Sequence, residues 1–341
     1  MTVETSLVHY SEPVNVLALA GQVADRHASA SAFADYQARK APNTRSRQAT
    51  DLAVFARFLD VAGVPFVGDL ANDVTAWAGV SWGLLEAFNR WQLAEGYAIG
   101  SVNVRLATVK TFCKLAAKAG IITPQDYAMI AMVKGLSRKE GRNVDESRDV
   151  TRLGAKKAEA VGISRKQASA LKDQPDTPQG RRDALLMCLL LDHGLRVGEV
   201  AILEVAHFNL AAGEFRFYRP KVDKEQTHKM TADTLRAAFA YFEAGDAPAM
   251  GPLLRGSRRG GQLEAAGMSE RALTARVAEL GRRVGIVGLS AHDCRHYWAT
   301  LASRQGTPIN CLQEAGGWAS PAMPLRYAMA AKIANEGVKL E

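Results

Sequence analysis

No apolar run in this chain is long enough to cross a membrane. The longest uninterrupted aliphatic stretch, Ala184 to Leu191, has eight residues and stops at Asp192, whereas a spanning helix needs about 20. Met1 to Glu12 lack a basic stretch followed by an apolar one, so no signal peptide is expected, and the expected location is cytoplasmic with no membrane partner. Cysteine is scarce. Cys113, Cys188, Cys294 and Cys311 are far apart and show no C-x-x-C spacing, which predicts buried, reduced thiols rather than a disulfide framework or a zinc site. His292 and His296 stand four apart without the glutamate of H-E-x-x-H, so no metal is expected. The chain also lacks a G-x-G-x-x-G turn, a Walker loop and any repeat period, so nothing calls for a nucleotide or other cofactor.

What is present describes a globular protein with a basic bias. Apolar residues make up 48% and charged residues 23%, and 341 residues are enough for two domains. The formal charge of +8 favours a polyanionic partner. Its distribution is more telling: between Lys134 and Lys166 there are ten basic and five acidic side chains. By itself such a run is as compatible with a solvated linker as with a nucleic-acid contact.

Helical periodicity dominates the first third. Asn43 or Thr44 is placed to cap a helix that carries Leu52, Phe55, Leu59 and Ala62 on one face. Further helices are expected over Val74 to Ala94 and Ser101 to Ala119. The latter turns Leu106, Val109, Cys113 and Ala116 inward and spaces Lys110, Lys114 and Lys118 along another face. That lysine stripe suits either a wet helix face or a phosphate backbone. Residues 25–133 thus read as a helical domain, 134–175 as a basic connector, and 176–341 as a second domain. Within the second, Phe215 and Phe217 alternate in a strand over Glu214 to Arg219, a charged turn spans Lys221 to Gln226, and a strand returns near Thr227 to Met230. Helices follow to the end, so the fold class is mainly α with a small antiparallel β element.

Five segments then stand in a telling order: Gly194-Leu195-Arg196-Val197-Gly198-Glu199, Pro220-Lys221-Val222-Asp223-Lys224-Glu225, His292-Asp293-Cys294-Arg295-His296-Tyr297, Gly316-Gly317-Trp318, and Tyr327. The intervals are 25 residues from Arg196 to Lys221, three from His292 to Arg295, 23 from Arg295 to Trp318 and nine from Trp318 to Tyr327. Each segment alone is weak, but their order and spacing together resemble the tyrosine recombinase (phage integrase) family. The resemblance is clear over the second domain and weaker over the first. It implies a helical core-binding, DNA-binding domain followed by a mixed α/β catalytic domain.

The resemblance also implies roles. Arg196 and Arg295 would clamp the phosphate, because a guanidinium fork donates paired hydrogen bonds and stays charged while the transition state gathers negative charge. Tyr327 would attack the phosphorus and store the bond as a 3′-phosphotyrosine. Lys221 would protonate the leaving 5′-oxygen, with Lys224 the competitor because hairpin register is not readable from sequence. His292 would share a proton near the nucleophile. Trp318 stands where most relatives have histidine; indole donates an N–H but exchanges no proton at neutral pH, so its expected role is positional. Duplex contacts are expected from Lys110, Lys114, Lys118, Lys134, Arg138 and Lys139. The implied partners are double-stranded DNA at a recombination site, a homotetramer in the synaptic complex, and a DNA-bending accessory protein. A topoisomerase-like nicking and resealing enzyme, or an inactive DNA-binding accessory protein, remain the alternatives.

Overall fold

The structure is a computed structural model describing residues 15–331 apart from 67, 155, 156, 158 and 259, with backbone only for 328–331. The chain divides into two compact units between Ala158 and Glu159. The first unit carries helices α1 (Val16–Ala38), α2 (Pro42–Val61), α3 (Trp82–Ala94), α4 (Ile99–Lys118), α5 (Pro124–Met132) and α6 (Arg138–Glu146).

Aromatic packing holds this unit. Trp77 is fully buried between Phe55 and Phe112, with ring centroids 6.0 and 5.8 Å away, and its indole N–H donates to the Leu70 carbonyl at 3.0 Å. Such a ring belongs inside only when its polar tip finds a partner. Leu106, Val109, Cys113 and Ala116 of α4 face this core as their spacing predicts. The α2 start differs from expectation: Ala41 is the extended N-cap and Pro42 begins the helix, its fixed φ suiting a first turn where no N–H is needed. The continuous helix read over Val74 to Ala94 is broken, because Gly79 takes φ +78° and Ser81 caps α3 anew. Helix α1 has weak sequence periodicity because, among its described residues, Ala32 and Phe33 are its buried ones.

The stretch 134–175 is apportioned between the units. Ser137 and Glu140 form a capping box at the start of α6. Asn103 holds Leu136 by two backbone bonds, and Arg148 Nη1 donates to the carbonyls of Leu93 and Tyr97 at 2.9 and 3.0 Å. These contacts belong to the first unit. Further on, Val161 N donates to Asp293 Oδ1 at 2.9 Å, and Ala168 and Leu171 sit in the core of the second unit.

That second unit contains α7 (Arg165–Lys172), α8 (Pro178–Leu191), α9 (Val197–Ala201), α10 (Ala232–Glu243), α11 (Glu270–Arg283), α12 (Ala291–Arg304), α13 (Ile309–Gly316) and α14 (Ala322–Ala331). Helix α8 is its axis: every residue from Leu185 to Leu191 is buried, as a helix apolar all round requires. Strands β1 (Phe208–Asn209), β2 (Glu214–Arg219) and β3 (Lys224–Lys229) form an antiparallel sheet in that order. The returning strand therefore starts at Lys224, not near Thr227. Arg219 pairs with Lys224, leaving residues 220–223 as the turn, with Asp223 at φ +48° and accepting from Tyr218 Oη at 2.6 Å. A second antiparallel pair, β4 (Arg255–Ser257) and β5 (Leu263–Gly267), has no counterpart in the sequence reading. The fully buried Arg182 ties it down through Arg255 O and Ser257 Oγ. Among the described residues no helix is long and apolar enough to cross a membrane, and no histidine, cysteine and carboxylate group could hold a metal. Cys113, Cys188 and Cys294 are buried as expected; Cys311 is exposed.

Candidate active site

The site is assembled around the last turn of α13. A helix leaves its final four carbonyls without partners inside the helix and concentrates negative partial charge there. Here four consecutive carbonyls are each met by a different side chain. Gln226 Nε2 donates to Glu314 O at 2.7 Å and Arg219 Nη2 to Ala315 O at 2.6 Å, Arg295 Nη2 donates to Gly316 O, and Arg196 Nη2 reaches Gly317 O at 3.3 Å. The two glycines make this approach possible. Gly317 takes the left-handed conformation (φ +57°), and a Cβ there would lie 2.5 Å from Arg219 Cδ; a Cβ on Gly316 would lie 2.1 Å from Trp318 Cζ3.

Arg196 arrives from the turn between α8 and α9. Gly194, at φ +60°, makes that turn against Trp298, where a Cβ would come within 2.3 Å of Cε3. Arg196 is the N-cap of α9, and Glu199 accepts its backbone N–H at 2.8 Å and its Nη1 at 2.6 Å. Both oxygens of the same carboxylate also accept from Arg219 Nη1, at 2.9 and 2.8 Å. Arg295, on α12, is 3% exposed and also donates to Gly194 O at 2.6 Å. Burial first, then the neighbouring Arg196 and Arg219, pull its guanidinium down to about 9, against the opposing pull of Glu199 and Tyr327. It is still a cation at neutral pH, and an arriving anion would relieve its repulsion.

The Arg295 guanidinium lies over the Trp318 ring at 4.4 Å, and Trp318 in turn packs against Tyr327. Tyr327, on α14, is buried, with His296 edge-on to its ring at a centroid distance of 5.0 Å. Burial, then the His292 charge, lower the His296 pKa. Pro324 falls within the first turn of α14.

Arg196, Arg295, Trp318 and Tyr327 are thus brought together. The other two expected residues are exposed. Lys221 sits in the β2–β3 turn with no hydrogen bond or ion pair among the described residues. Lys224, its competitor, is at the strand end and pairs with Glu314 at 3.4 Å. His292 occupies the first turn of α12, whose cap is Ser290 with Asp293 in a capping box. In the first unit Lys114, Lys118, Lys134, Arg138 and Lys139 are exposed. Lys110 differs: its ammonium donates to Ala131 O at 2.8 Å and Val133 O at 2.6 Å, closing the end of α5.

Three participants escaped the motif reading: Arg219, Gln226 and His296. A signal for Arg219 was present. Strand residues two apart share a face, so Arg219 stands in register with Phe215 and Phe217 and is buried with them. Glu199 was visible as a neighbour of Arg196, but nothing local revealed its second arginine.

The second unit thus holds an arginine pair braced on a helix end, with a tyrosine delivered beside it by the following helix. The chain belongs to the phage integrase family, whose sequence model matches residues 162–333. Among its relatives, the tyrosine recombinase XerC of Pelobacter propionicus is 30% identical over 164 residues, 47% of this chain and 52% of that one, so this alignment spans about half the relative's length. The XerC of Herpetosiphon aurantiacus is 25% identical over 292 residues, 82% of this chain and 81% of that one. A crystal structure of a lambda integrase dimer bound to a COC′ core site shares the fold, with a TM-score of 0.60 at 14% identity, over 92% of this chain and 97% of that one.

Proposed function

We propose that this chain is a site-specific DNA recombinase working through a 3′-phosphotyrosine. The observation that carries the reading is the convergence of Arg196, Arg295, Trp318 and Tyr327 beside the last turn of α13. Tyr327 Oη attacks the scissile phosphorus and forms a new P–O bond as the bond to the 5′-oxygen breaks. The phenolic proton passes to His292, and Lys221 protonates the departing oxygen, leaving a free 5′-hydroxyl. Arg196 and Arg295 hold the nonbridging oxygens, whose charge grows in the transition state. In the reverse step a 5′-hydroxyl from the partner duplex displaces Tyr327. Each step exchanges one phosphate ester for another, so the reaction draws on no nucleotide and no cofactor.

The first unit would serve as the core-binding domain, holding the duplex through Lys114, Lys118, Lys134, Arg138 and Lys139. Four protomers would act on paired sites in the cytoplasm, with an accessory protein bending the DNA. The test is incubation of the full chain with nicked, radiolabelled duplexes from its genomic neighbourhood. A covalent adduct mapping to Tyr327, with strands joined between two differently labelled duplexes, is the expected result. Relaxation of single duplexes without exchange would reassign the chain as a nicking and resealing enzyme, and binding with no adduct as a DNA-binding accessory protein.

A further inference from the structure

Arg219 is fully buried, so it cannot itself meet a phosphate, yet it bonds to α9, to the end of α13 and to β3 of the hairpin that carries Lys221. Its Nη1 grips both oxygens of Glu199, the carboxylate that also holds Arg196. Its Nη2 holds Ala315 O, one residue before the carbonyl that holds Arg295. Its Nε donates to Gln226 on β3, whose amide holds Glu314 O, and the residue itself ends β2 immediately before Pro220 and Lys221. The guanidinium lies 4.6 Å over the Phe217 ring, so it is fixed by stacking as well as by hydrogen bonds.

We propose that Arg219 is a positioning residue, which keeps Arg196 available to the phosphate by sharing Glu199 with it and fixes the Lys221 hairpin to the turn bearing Trp318. This rests on the recombinase reading above. Glu199 faces two arginines, so Arg196 is oriented without being neutralised, and together with Arg295 the cluster keeps two positive charges uncompensated by side chains. Without Arg219 the carboxylate has Arg196 as its remaining partner. The pair would then tighten and draw Arg196 away from the anion, while Ala315 O and Gln226 lose their common anchor.

The full-length chain tests this through Arg219→Met, which keeps an unbranched apolar stem without the charge, Arg219→Lys, and the double variant Arg219→Met with Glu199→Gln. At saturating suicide duplex, the single-turnover cleavage rate of Arg219→Met is expected to fall about 10²-fold, the scale of a displacement of order 1 Å. Duplex affinity should stay near wild type. Lysine should not substitute, because one ammonium cannot span Glu199, Gln226 and Ala315 O together. Removing the unshared carboxylate in the double variant should recover part of the rate, a reversal that plain loss of packing does not produce.

A second measurement does not need DNA chemistry: inorganic phosphate is titrated while the arginine Nε resonances are followed by NMR. In wild type the Arg196 and Arg295 signals should move together; in Arg219→Met the Arg196 signal should need about tenfold more phosphate, the scale of one charge-assisted hydrogen bond. A wild-type cleavage rate in Arg219→Met, or a phosphate titration unchanged by it, overturns the proposal. Equal rates in the single and double variants overturn the link through Glu199. If the wild-type chain forms no adduct but the titration difference persists, the recombinase reading fails and the positioning role stands. Should Arg219→Met fail to fold, Arg219→Gln, also uncharged but polar, carries both measurements with the same outcomes.

Discussion

The rings of Trp318 and Tyr327 lie 5.6 Å apart, centroid to centroid, at a tilt of 36°. The indole also lies against the Arg295 guanidinium and stacks on Trp298, so one side chain spaces the proposed nucleophile from the proposed clamp. Trp318→His keeps a ring and an N–H and should retain measurable cleavage. Trp318→Ala opens space beside both partners and should lose far more, on the order of 10²-fold. Single-turnover cleavage rates decide it, and equal activity of the alanine variant and wild type would remove Trp318 from the site.

Tyr327→Phe deletes one oxygen and preserves the contacts of the ring with Trp318 and His296. Folding and duplex binding should survive while the covalent adduct disappears. Denaturing electrophoresis with a suicide duplex, followed by peptide mapping, is the measurement. An adduct on another tyrosine would relocate the nucleophile.

Lys221 is exposed on a turn, whereas Lys224 is paired with Glu314. Lys221→Ala should therefore be the variant rescued when a bridging sulfur replaces the leaving 5′-oxygen, because a thiolate needs little protonation. Tyr327→Phe should not be rescued. Rescue confined to Lys224→Ala would transfer the acid role to that residue.

The lysines of α4 should separate by function. Lys110 holds two carbonyls at the end of α5, so Lys110→Met should lower stability by about 1–2 kcal/mol in urea unfolding. Lys114→Ala and Lys118→Ala should change stability by no more than about 0.5 kcal/mol. Each should instead reduce the salt dependence of duplex binding by about one phosphate contact. An unchanged salt slope in both would leave them as ordinary solvated residues.

Acid should destabilise the second unit through two histidines. Burial first, then His228 beside His193 and Arg219 beside His228, holds His193 down to about 3 and His228 to about 4, against an ordinary 6.5. The unfolded chain binds these protons first, so stability is full above about pH 6.5 and falls as pH drops toward 4. The slope should be at most about 1.4 kcal/mol per pH unit for each histidine. His193→Phe should flatten it in urea unfolding across that window, and an unaltered slope would show that His193 does not carry the effect.

Much of the candidate site was legible because phosphoryl-transfer chemistry calls for particular residue types, and here they stand in a recognisable order and spacing. Arg196, Arg295, Trp318 and Tyr327 could be picked out by order and interval, and the helices of apolar stripe, such as α4, by their period. Helix α1 and the β4–β5 pair were not legible, since one buries little and the other is short and held by the buried Arg182. Hairpin register was equally out of reach: which lysine is free depends on the pairing of Arg219 with Lys224 and on a glutamate 90 residues later. The sequence by itself determined the candidate site residues and the periodic helices, because order and spacing encode both. Only the tertiary structure decided that Glu199 serves a second arginine and that four successive carbonyls at the end of α13 gather the site, because those bonds join residues about 20 to 120 positions apart, and no local pattern records which distant partner satisfies a buried charge.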